Sequence, residues 1–295
     1  MKRFVIYCKS YSTDVKRVLR LTQSLEQFNV EDIEFIVSCP KNDRVLFAQY
    51  LRERKVTLID DEEIILSNPA HSLAKFSSIP GHLAQQIIKS EFWRLGLAVN
   101  YLCLDSDCLF IRPFRQGEFI SDNGTPYSVV DECRELLVPA LAAGKQRVID
   151  NFRTEAKSVQ DVIERPGKYY NFGPNCPVWN RKVWESLDEN FVKPRGTSLA
   201  DLILAYPIEM RWYGEALLRY KAIDLLPSQP FFKMYAYAWQ LKADRRLGIR
   251  ESDLAEFYCG VTYQSAWERE MDWPSEGGHT MSRFGRRLRR ALGRT

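Results

Sequence analysis

Apolar and polar positions alternate in two different ways along the first ~110 residues of the chain. Short apolar runs, the pattern of buried strands, occupy residues 4–8, 33–37, 56–59 and 101–104. Between them, apolar residues at helical spacing and capping signals predict helices at 14–28, 43–53 and 83–98. This β-α-β-α-β-α-β order predicts an α/β fold with a largely parallel, doubly wound sheet.

The second half of the chain has a less regular pattern. Apolar runs predict strands at 126–131 and 222–226. Helical spacing predicts helices at 133–143, 150–164, 198–205 and 213–220, and a further helix that begins at Asn180. A loop rich in Tyr, Asn, Gly and Pro occupies 169–177. No internal repeat or linker separates the halves, so we expect a single domain over residues 1–281.

Composition and charge narrow the class of protein. With 295 residues, 45% of them hydrophobic and 27% charged, the chain has the composition of an ordinary globular protein. Its net charge of +4 comes from a C-terminal tail, residues 282–295, which holds six arginines and no acid. The remainder of the chain is slightly acidic, which argues against nucleic acid as a partner.

The tail has the pattern of a short basic amphipathic helix. Phe284, Leu288 and Leu292 recur at helical spacing, with arginines between them. Such a helix suits an anionic membrane surface, although a solvated chain end fits the same residues. No apolar run approaches the ~20 residues of a membrane span, no signal peptide is apparent, and the seven cysteines form no CxxC pair. We therefore expect a cytoplasmic protein that the tail, through residues 283–294, places on the inner face of the membrane.

Two carboxylates follow the fourth predicted strand, in the sequence Asp105-Ser106-Asp107. Acids beside a buried strand are costly unless they are neutralised, and a divalent metal bound to a diphosphate would neutralise them. Ligands of open α/β sheets bind at this end of the strands. A haloacid-type phosphatase also uses Asp-x-Asp, but on its first strand and with Thr or Val where this chain has Leu109. A solvated loop is the other alternative, and the apolar flanks favour a metal–diphosphate site.

Together with this motif, several segments resemble bacterial GT-A-type glycosyltransferases, in particular a poorly characterised group associated with surface polysaccharide synthesis. The resemblance is carried by residues 81–92, 101–107, 170–174, 212–218, 231–233 and 260–265. It implies a GT-A-like (Rossmann-like) fold, with a mixed, mostly parallel sheet flanked by helices and a C-terminal helical acceptor region. Residues 1–115 would then form the nucleotide-donor half and residues 116–281 the acceptor half.

The resemblance implies a metal site at the Asp-x-Asp motif. Asp107 would ligate Mn²⁺ or Mg²⁺ held by the donor diphosphate, and Asp105 would contact the ribose or join the metal shell. Ser106 between them belongs to the same donor-binding group. His279 is the candidate for a further metal ligand near the C-terminus, with a solvated loop histidine as the alternative.

The resemblance also implies donor contacts outside the motif. Ser10 and Tyr11 follow the first strand, where the family receives the nucleoside. Lys89, which shares a helix face with Gln85, would lie over the diphosphate or the sugar. Lys233 would reach the diphosphate from late in the chain. An ordinary surface lysine is the alternative for Lys89 and for Lys233.

Candidate residues for catalysis and acceptor binding come from three short segments in the second half of the chain. Glu215, in a Tyr-Gly-Glu sequence similar to the family's Gly-Glu-Asp pattern, is the candidate catalytic base, and helix capping is its alternative. Asp131 and Glu132 are reserve candidates. Such a base favours an inverting mechanism, since a retaining enzyme needs none. The acceptor-binding candidates are Asn171, Asn175 and Trp179, in the aromatic, Pro-rich loop; structural packing of Tyr169, Tyr170 and Phe172 is the alternative for that loop.

These observations predict a metal-dependent glycosyltransferase. It would move a sugar from a nucleotide donor, a UDP-sugar by preference, to a glycan or lipid-linked acceptor in bacterial surface polysaccharide synthesis. The alternatives are a sugar-nucleotide hydrolase or phosphatase and a non-catalytic, membrane-docked protein that binds a sugar nucleotide.

Overall fold

The computed structural model describes residues 1–173 and 176–264, and helices and strands alternate through both ranges. The first half contains β1 (Lys2–Lys9), α1 (Val15–Phe28), β2 (Phe35–Cys39), α2 (Arg44–Tyr50), β3 (Thr57–Asp60), α3 (Asp61–Leu66), α4 (Leu73–Phe76), α5 (Gly81–Glu91), β4 (Ala98–Leu104) and β5 (Cys108–Phe110). The second half contains β6 (Tyr127–Val129), α6 (Arg134–Ala142), α7 (Gln146–Val162), β7 (Val178–Asn180), α8 (Arg181–Leu187), α9 (Leu199–Ala205), α10 (Glu209–Tyr220), β8 (Leu226–Ser228), β9 (Phe232–Tyr235), α11 (Ala238–Arg246), α12 (Glu251–Leu254) and β10 (Gly260–Tyr263).

A five-stranded sheet in the order β3-β2-β1-β4-β7 forms the centre of the fold. The first four strands are parallel, with Ile6 of β1 opposite Phe35 on one side and Leu102 on the other. Strand β7, from the second half of the chain, joins β4 in the antiparallel direction. The predicted α/β fold with a mixed, mostly parallel sheet is therefore confirmed. The division into donor and acceptor halves stays a prediction.

Both faces of this sheet are covered, because successive residues of its central strand alternate between two apolar clusters. Val5 and Tyr7 of β1 pack with apolar residues of α5, α8, α9 and α10 on one face. Phe4 and Ile6 pack with α1 and α2 on the other face. A strand buried on both faces needs apolar residues throughout, and this explains the continuous apolar runs in the sequence.

Two smaller sheets complete the fold. Strands β5, β10 and β9 form one sheet, in which β10 is antiparallel to β5 and parallel to β9; strands β6 and β8 form a parallel pair. Gly260 begins β10, and a Cβ there would lie 2.1 Å from the Phe232 ring and 2.4 Å from the Leu109 carbonyl oxygen. Only glycine lets these strands approach so closely. Since β5 directly follows Asp107, this sheet anchors the chain just after the Asp-x-Asp motif.

Several predicted elements differ from those observed. The helix predicted at 83–98 begins at Gly81 and ends earlier, because Gly96 has a left-handed φ of 66° that stops the helical turn before β4. In place of the strand predicted at 222–226, the chain forms β8, which begins at the last residue of that range (Leu226–Ser228). The elements that the sequence did not predict are α3, α4, β5, β7, β9, α11, α12 and β10. The signal for α3 was present, since the Glu63 side chain accepts a hydrogen bond from the Asp60 backbone N–H at 3.4 Å in a capping box.

Two observations bear on the predicted membrane association. None of the helices in the described part of the chain is long and apolar enough to cross a bilayer. The basic tail, residues 282–295, lies outside the described residues, and docking through it stays a prediction.

Candidate active site

A cavity of about 780 Å³ opens where the order of the sheet reverses, at the carboxyl ends of β1 and β4. The chain continues from β1 to β2 and β3 on one side and returns to β4 on the other side, and such switch points are where open α/β sheets bind ligands. The walls come from the segment after β1, the start of α3, the region from α4 to α5 and the loop after β4. The sequence predicted this location from the Asp-x-Asp motif.

All three residues of the Asp-Ser-Asp motif line this cavity. Strand β4 ends at Leu104, so the motif begins directly at the edge of the sheet. The Asp105 carboxylate accepts a hydrogen bond from the Lys89 ammonium. The backbone carbonyl of Asp107 accepts one from the Tyr263 N–H at 3.1 Å, which ties the motif to the end of β10. The motif is therefore held from both sides.

Lys89 lies beneath the cavity and does not line it. Its ammonium is buried between Asp105 and Glu209, whose Oε1 is 3.5 Å away. Burial opposes the charge, but the two carboxylates outweigh it and raise the pKa of Lys89 well above its usual value. Burial likewise raises the pKa of Glu209, against the effect of Lys89. This placement changes the expectation for Lys89, because the lysine positions Asp105 instead of lying over a donor.

The segment after β1 supplies the opposite wall. Tyr11 is 38% exposed at the cavity, and Ser10 is buried with a hydroxyl that has no hydrogen-bond partner among the described residues. Next to them, the buried Lys9 ammonium is 3.1 Å from the Asp61 carboxylate. Burial raises the pKa of Asp61, and Lys9 opposes this effect. The structure thus brings the predicted Ser10 and Tyr11 together with the Asp-Ser-Asp motif.

The cavity is strongly acidic. Its lining includes the carboxylates of Asp14, Asp43, Asp61, Glu62, Asp105 and Asp107. Cationic side chains lie against some of them, as in the pairs Arg17–Asp14, Lys9–Asp61 and Lys89–Asp105. Carboxylate oxygens are the ligands that Mg²⁺ and Mn²⁺ prefer. Among residues 1–173 and 176–264, no group of three His, Cys, Asp or Glu side chains could hold a metal alone, so an ion here would share its shell with the oxygens of a ligand.

One wall of the cavity is apolar. Ile65, Leu73, Phe76 and Ile88 line it, and they come from α3, α4 and α5. Binding pockets for organic ligands typically combine such an apolar wall with a few polar groups. The arrangement can therefore accept a ring against the apolar wall while the carboxylates face a charged part of the same ligand.

Glu215 lies away from this cavity, on α10. It is fully buried, and the Arg165 guanidinium donates to both of its carboxylate oxygens, with Nη2 to Oε1 at 3.0 Å. Burial raises the pKa of Glu215, and Arg165 opposes this effect. A buried, ion-paired carboxylate cannot reach an acceptor hydroxyl in the cavity. The expectation of a catalytic base is therefore corrected to a structural ion pair.

The other predicted acceptor and donor residues are also placed elsewhere. Trp179 lies in β7 within the core, with its ring against Tyr101, so it is not available to an acceptor sugar. Asn171 is buried and exchanges backbone hydrogen bonds with Asp131. The Lys233 ammonium on β9 contacts the Glu135 carboxylate. None of these residues lines the cavity after β1 and β4.

Three further predicted residues complete this comparison. Glu132, one of the reserve bases, pairs with Arg134 at 2.6 Å on the surface and not in the cavity. Asn175 and His279 lie outside the described residues, and their roles stay predictions.

Several residues of the cavity were not predicted. Lys9 is adjacent to Ser10, and Asp61 and Glu62 begin α3 directly after β3, which is parallel to β1. Carboxyl ends of parallel strands share one edge of the sheet, so the position of Asp61 carried a usable signal. His82, in the first turn of α5, lies one turn before Gln85 on the same wall. Its only local signal was the Pro80-Gly81 sequence that starts the helix.

Comparisons with known proteins agree with this architecture. A family of unknown function, DUF6492, matches residues 5–143, less than half of the chain. The galactosyltransferase LgtC, in complex with donor and acceptor sugar analogues, is similar with a TM-score of 0.52 and 16% identity over 92% of both chains. An active-site variant of LgtC has a TM-score of 0.49 and 16% identity over 88% of this chain and 86% of that chain. Mouse xyloside xylosyltransferase 1 in its apo form has a TM-score of 0.49 and 11% identity over 89% and 98%.

No curated protein matches the sequence. The structural similarity to LgtC, at low sequence identity, shows a shared fold. The predicted GT-A-like glycosyltransferase fold is thereby confirmed.

Proposed function

We propose that the chain is a metal-dependent GT-A-type glycosyltransferase. It takes a sugar from a nucleoside-diphosphate donor, by preference a UDP-sugar, and passes it to a glycan or lipid-linked acceptor in bacterial surface polysaccharide synthesis. The observation that carries this proposal is the position of Asp105 and Asp107, which open into one cavity with Ser10 and Tyr11 at the switch point of the sheet. The uridine base and the acceptor class rest on the sequence resemblance.

The charge of the cavity supports a requirement for a divalent cation. Six carboxylates line it, whereas Lys9 is the one lysine or arginine among the described residues of its lining. A diphosphate brings further negative charge, and like charges in a partly desolvated cavity repel strongly. When bound, Mn²⁺ or Mg²⁺ would offset this repulsion and stabilise the charge that develops on the departing diphosphate.

The chain's own residues hold and orient the donor. Asp107 and Asp105 would supply carboxylate oxygens to the ion, and the Lys89 ammonium fixes the orientation of Asp105. The Ser10 hydroxyl is suited to a ribose or phosphate oxygen, since it is buried and has no partner among the described residues. The Tyr11 ring provides an exposed aromatic face next to it, on which a base stacks.

We assign no general base. The preference for inversion rested on Glu215, and the placement of that residue in a buried ion pair removes this support. The anomeric configuration of the product, measured by NMR at an early time point, decides between inversion and retention.

The test is the metal dependence of nucleotide binding. UDP at 100 times its Kd should stabilise the folded state by about 2.7 kcal/mol, a rise in Tm of roughly 5 °C, in MnCl₂ but not in EDTA. Asp107→Asn should abolish this metal-dependent rise. Asp188→Asn is the matched control, because Asp188 is a buried acid paired with Arg94 at 2.9 Å away from the cavity. It should lower the starting Tm and keep the metal-dependent rise.

The same preparation separates the alternatives. An equal UDP-induced rise in EDTA, together with an unaffected Asp107→Asn variant, would refute the metal site. Release of free sugar at the full turnover rate without an acceptor would identify a hydrolase. Metal-dependent UDP binding without turnover, across panels of UDP-sugar and GDP-sugar donors with glycan and lipid-linked acceptors, would leave a non-catalytic binding protein.

A further inference from the structure

Helices α6 and α7 form an antiparallel hairpin whose apolar residues divide between two faces. The inner face packs as a small cluster around Cys133, Phe152 and Ala156. On the outer face Val138 is 60% exposed and Leu141 is 65% exposed. Since residues three apart are neighbours on a helix, these two side chains form one apolar patch in water.

The patch continues as a groove along the hairpin. A surface cavity of about 560 Å³ runs between the helices, and Leu137, Val138, Leu141 and Ile149 line it. The connection between the helices is only three residues long, and Gly144 adopts a left-handed φ of 63° there. The tip of the hairpin is therefore a short, tight turn flanked by apolar side chains.

Cations surround this apolar patch. Arg134, Arg153 and Lys168 line the groove, and Lys145 and Arg147 follow at the tip. Glu132 pairs with Arg134 at 2.6 Å and with Lys168 at 3.5 Å. Within the described part of the chain, no carboxylate pairs with the side chains of the other three. Against these five cations stand Glu132, which also lines the groove, Asp150, which accepts a hydrogen bond from Gln146 at 2.8 Å, and Glu135, which pairs with Lys233. The rim therefore keeps a net positive charge.

We propose that the α6–α7 hairpin is a docking surface for an anionic phospholipid bilayer. Exposed apolar side chains with a basic rim are the pattern of elements that lie in the membrane interface, where the apolar groups enter the headgroup boundary and the cations meet acidic lipids. This surface consists of residues 134–153 and Lys168. It is separate from the C-terminal tail and independent of the proposed sugar transfer.

Charge also argues against self-association through this surface. In a two-fold dimer the same patch would face itself, so the cations of one copy would oppose those of the other. An anionic bilayer instead supplies complementary charge over the whole rim and an apolar layer for Val138 and Leu141. The charge pattern therefore favours a membrane over a second copy of the chain.

The test uses a fluorophore at the hairpin itself. All seven native cysteines are buried, so a thiol-reactive nitrobenzoxadiazole dye can be directed to Leu141→Cys in the full-length chain. Phe257→Cys is the matched control, because Phe257 is 73% exposed but its nearest charged neighbours in sequence are the acids Glu251, Asp253 and Glu256. With vesicles of 70% phosphatidylcholine and 30% phosphatidylglycerol, the dye at position 141 should shift to the blue and brighten. The dye at position 257 should not change.

Vesicle co-sedimentation of variants without the dye measures the apolar part and the basic part of the surface separately. Val138→Glu and Leu141→Glu should each lower partitioning by roughly tenfold, because each puts a charge where an apolar side chain would enter the bilayer. Lys145→Gln and Arg147→Gln should each lower it by roughly fivefold, and only for vesicles that contain phosphatidylglycerol. These side chains are exposed, so an unchanged Tm shows that the fold is kept.

Three results would overturn the proposal. The first is an unshifted dye at position 141 when the protein co-sediments with vesicles, since docking would then run through the tail. The second is equal partitioning of the hairpin variants and the unsubstituted chain. The third is a concentration-dependent dimer, seen by light scattering, that Leu141→Glu dissolves while vesicles have no effect.

Discussion

The buried ion pair between Arg165 and Glu215 offers a direct test of how α10 is used. Arg165→Met would leave the Glu215 carboxylate without its hydrogen-bonded partner, and with only the more distant Arg211 to offset its charge, in a site where its side chain is 1% exposed. Removal of one partner from a buried pair costs about 3–5 kcal/mol. The Arg165 guanidinium also donates to the Lys168 carbonyl at 2.7 Å and to the Pro166 carbonyl at 3.0 Å, and each of these bonds contributes roughly 0.5–1.5 kcal/mol. Since folded proteins are stable by about 5–15 kcal/mol, the expected loss is a large share of the total.

Urea unfolding at pH 7 measures this loss as a lower midpoint with an unchanged slope. The double variant Arg165→Met/Glu215→Met removes both charges together. It should recover most of the stability, because a buried pair replaced by apolar side chains of similar volume is often close to neutral. The recovered stability should fall short of the unsubstituted chain, because the double variant lacks the hydrogen bonds from Arg165 to the Pro166 and Lys168 carbonyls.

The pH dependence gives an independent reading of the same pair. Burial raises the pKa of Glu215 above its ordinary value of 4.5, so that as the pH rises the folded state loses this proton at a higher pH than the unfolded state does. A raised acid pKa removes stability as the pH rises through the interval between the two values. Without Arg165 the interval widens. The Arg165→Met variant should therefore be closer to the unsubstituted chain at pH 5 than at pH 7.

Two results would contradict a structural role for the Arg165–Glu215 pair. One is a loss below 1 kcal/mol for Arg165→Met, which would mean that the pair is solvated. The other is a Glu215→Gln variant with unchanged stability and metal-dependent UDP binding but no turnover, which would restore Glu215 as a catalytic base.

Three further predictions follow from other buried contacts. Gly214→Ala should lower stability by about 1–3 kcal/mol in urea unfolding, although alanine favours a helix, because its Cβ would lie 1.9 Å from the Phe172 ring; an unchanged midpoint would contradict this packing. Lys89→Met should lower stability by about 3–5 kcal/mol and weaken metal-dependent UDP binding in calorimetry, because it removes the cation between Asp105 and Glu209. Unchanged UDP binding would show that Lys89 does not position Asp105. Burial opposes the charge on Glu91, but His71 and Arg94 outweigh this effect and lower the pKa of the carboxyl, so this acid contributes stability above pH 4.5 that is lost as the pH falls. Glu91→Gln should therefore flatten the acid limb of a Tm–pH curve, and an identical limb would argue against the contacts of Glu91 with His71 and Arg94.

The parts of the fold that the sequence predicted are those whose signal is local. Strands β1, β2 and β4 are buried on both faces over most of their length, and each needs an uninterrupted apolar run that can be recognised within a few residues. Strand β3 lies at the edge of the sheet with only Ile59 of its four residues buried, and its apolar run is correspondingly short. The position of the Asp-Ser-Asp motif follows from the same reasoning, because it depends only on where β4 ends. Ser10 and Tyr11 were correctly placed for a matching reason at the end of β1.

The residues that were misplaced depend on partners far away in the chain. Glu215 begins a Glu-Ala-Leu-Leu run that fits an exposed helix start equally well, and its partner Arg165 lies 50 residues earlier. Trp179 follows a loop rich in aromatic residues, and only the antiparallel pairing of β7 with β4 shows that it faces the core. No local pattern carries such information, since burial of a polar or aromatic group is decided by what packs against it.

On helix α5, the role of a residue depends on how deeply its side chain lies below the cavity. Gln85 and Lys89 share a face, as expected, but Gln85 lines the cavity while Lys89 lies one turn deeper, beneath Asp105. A lysine at the rim would attract phosphate through solvent. At this depth its ammonium faces the Asp105 and Glu209 carboxylates, which raise the pKa of Lys89 well above its usual value. If the cavity binds the proposed donor, His82 and Gln85 are the residues of this helix that would contact it, and Lys89 would act on the donor only through the orientation of Asp105.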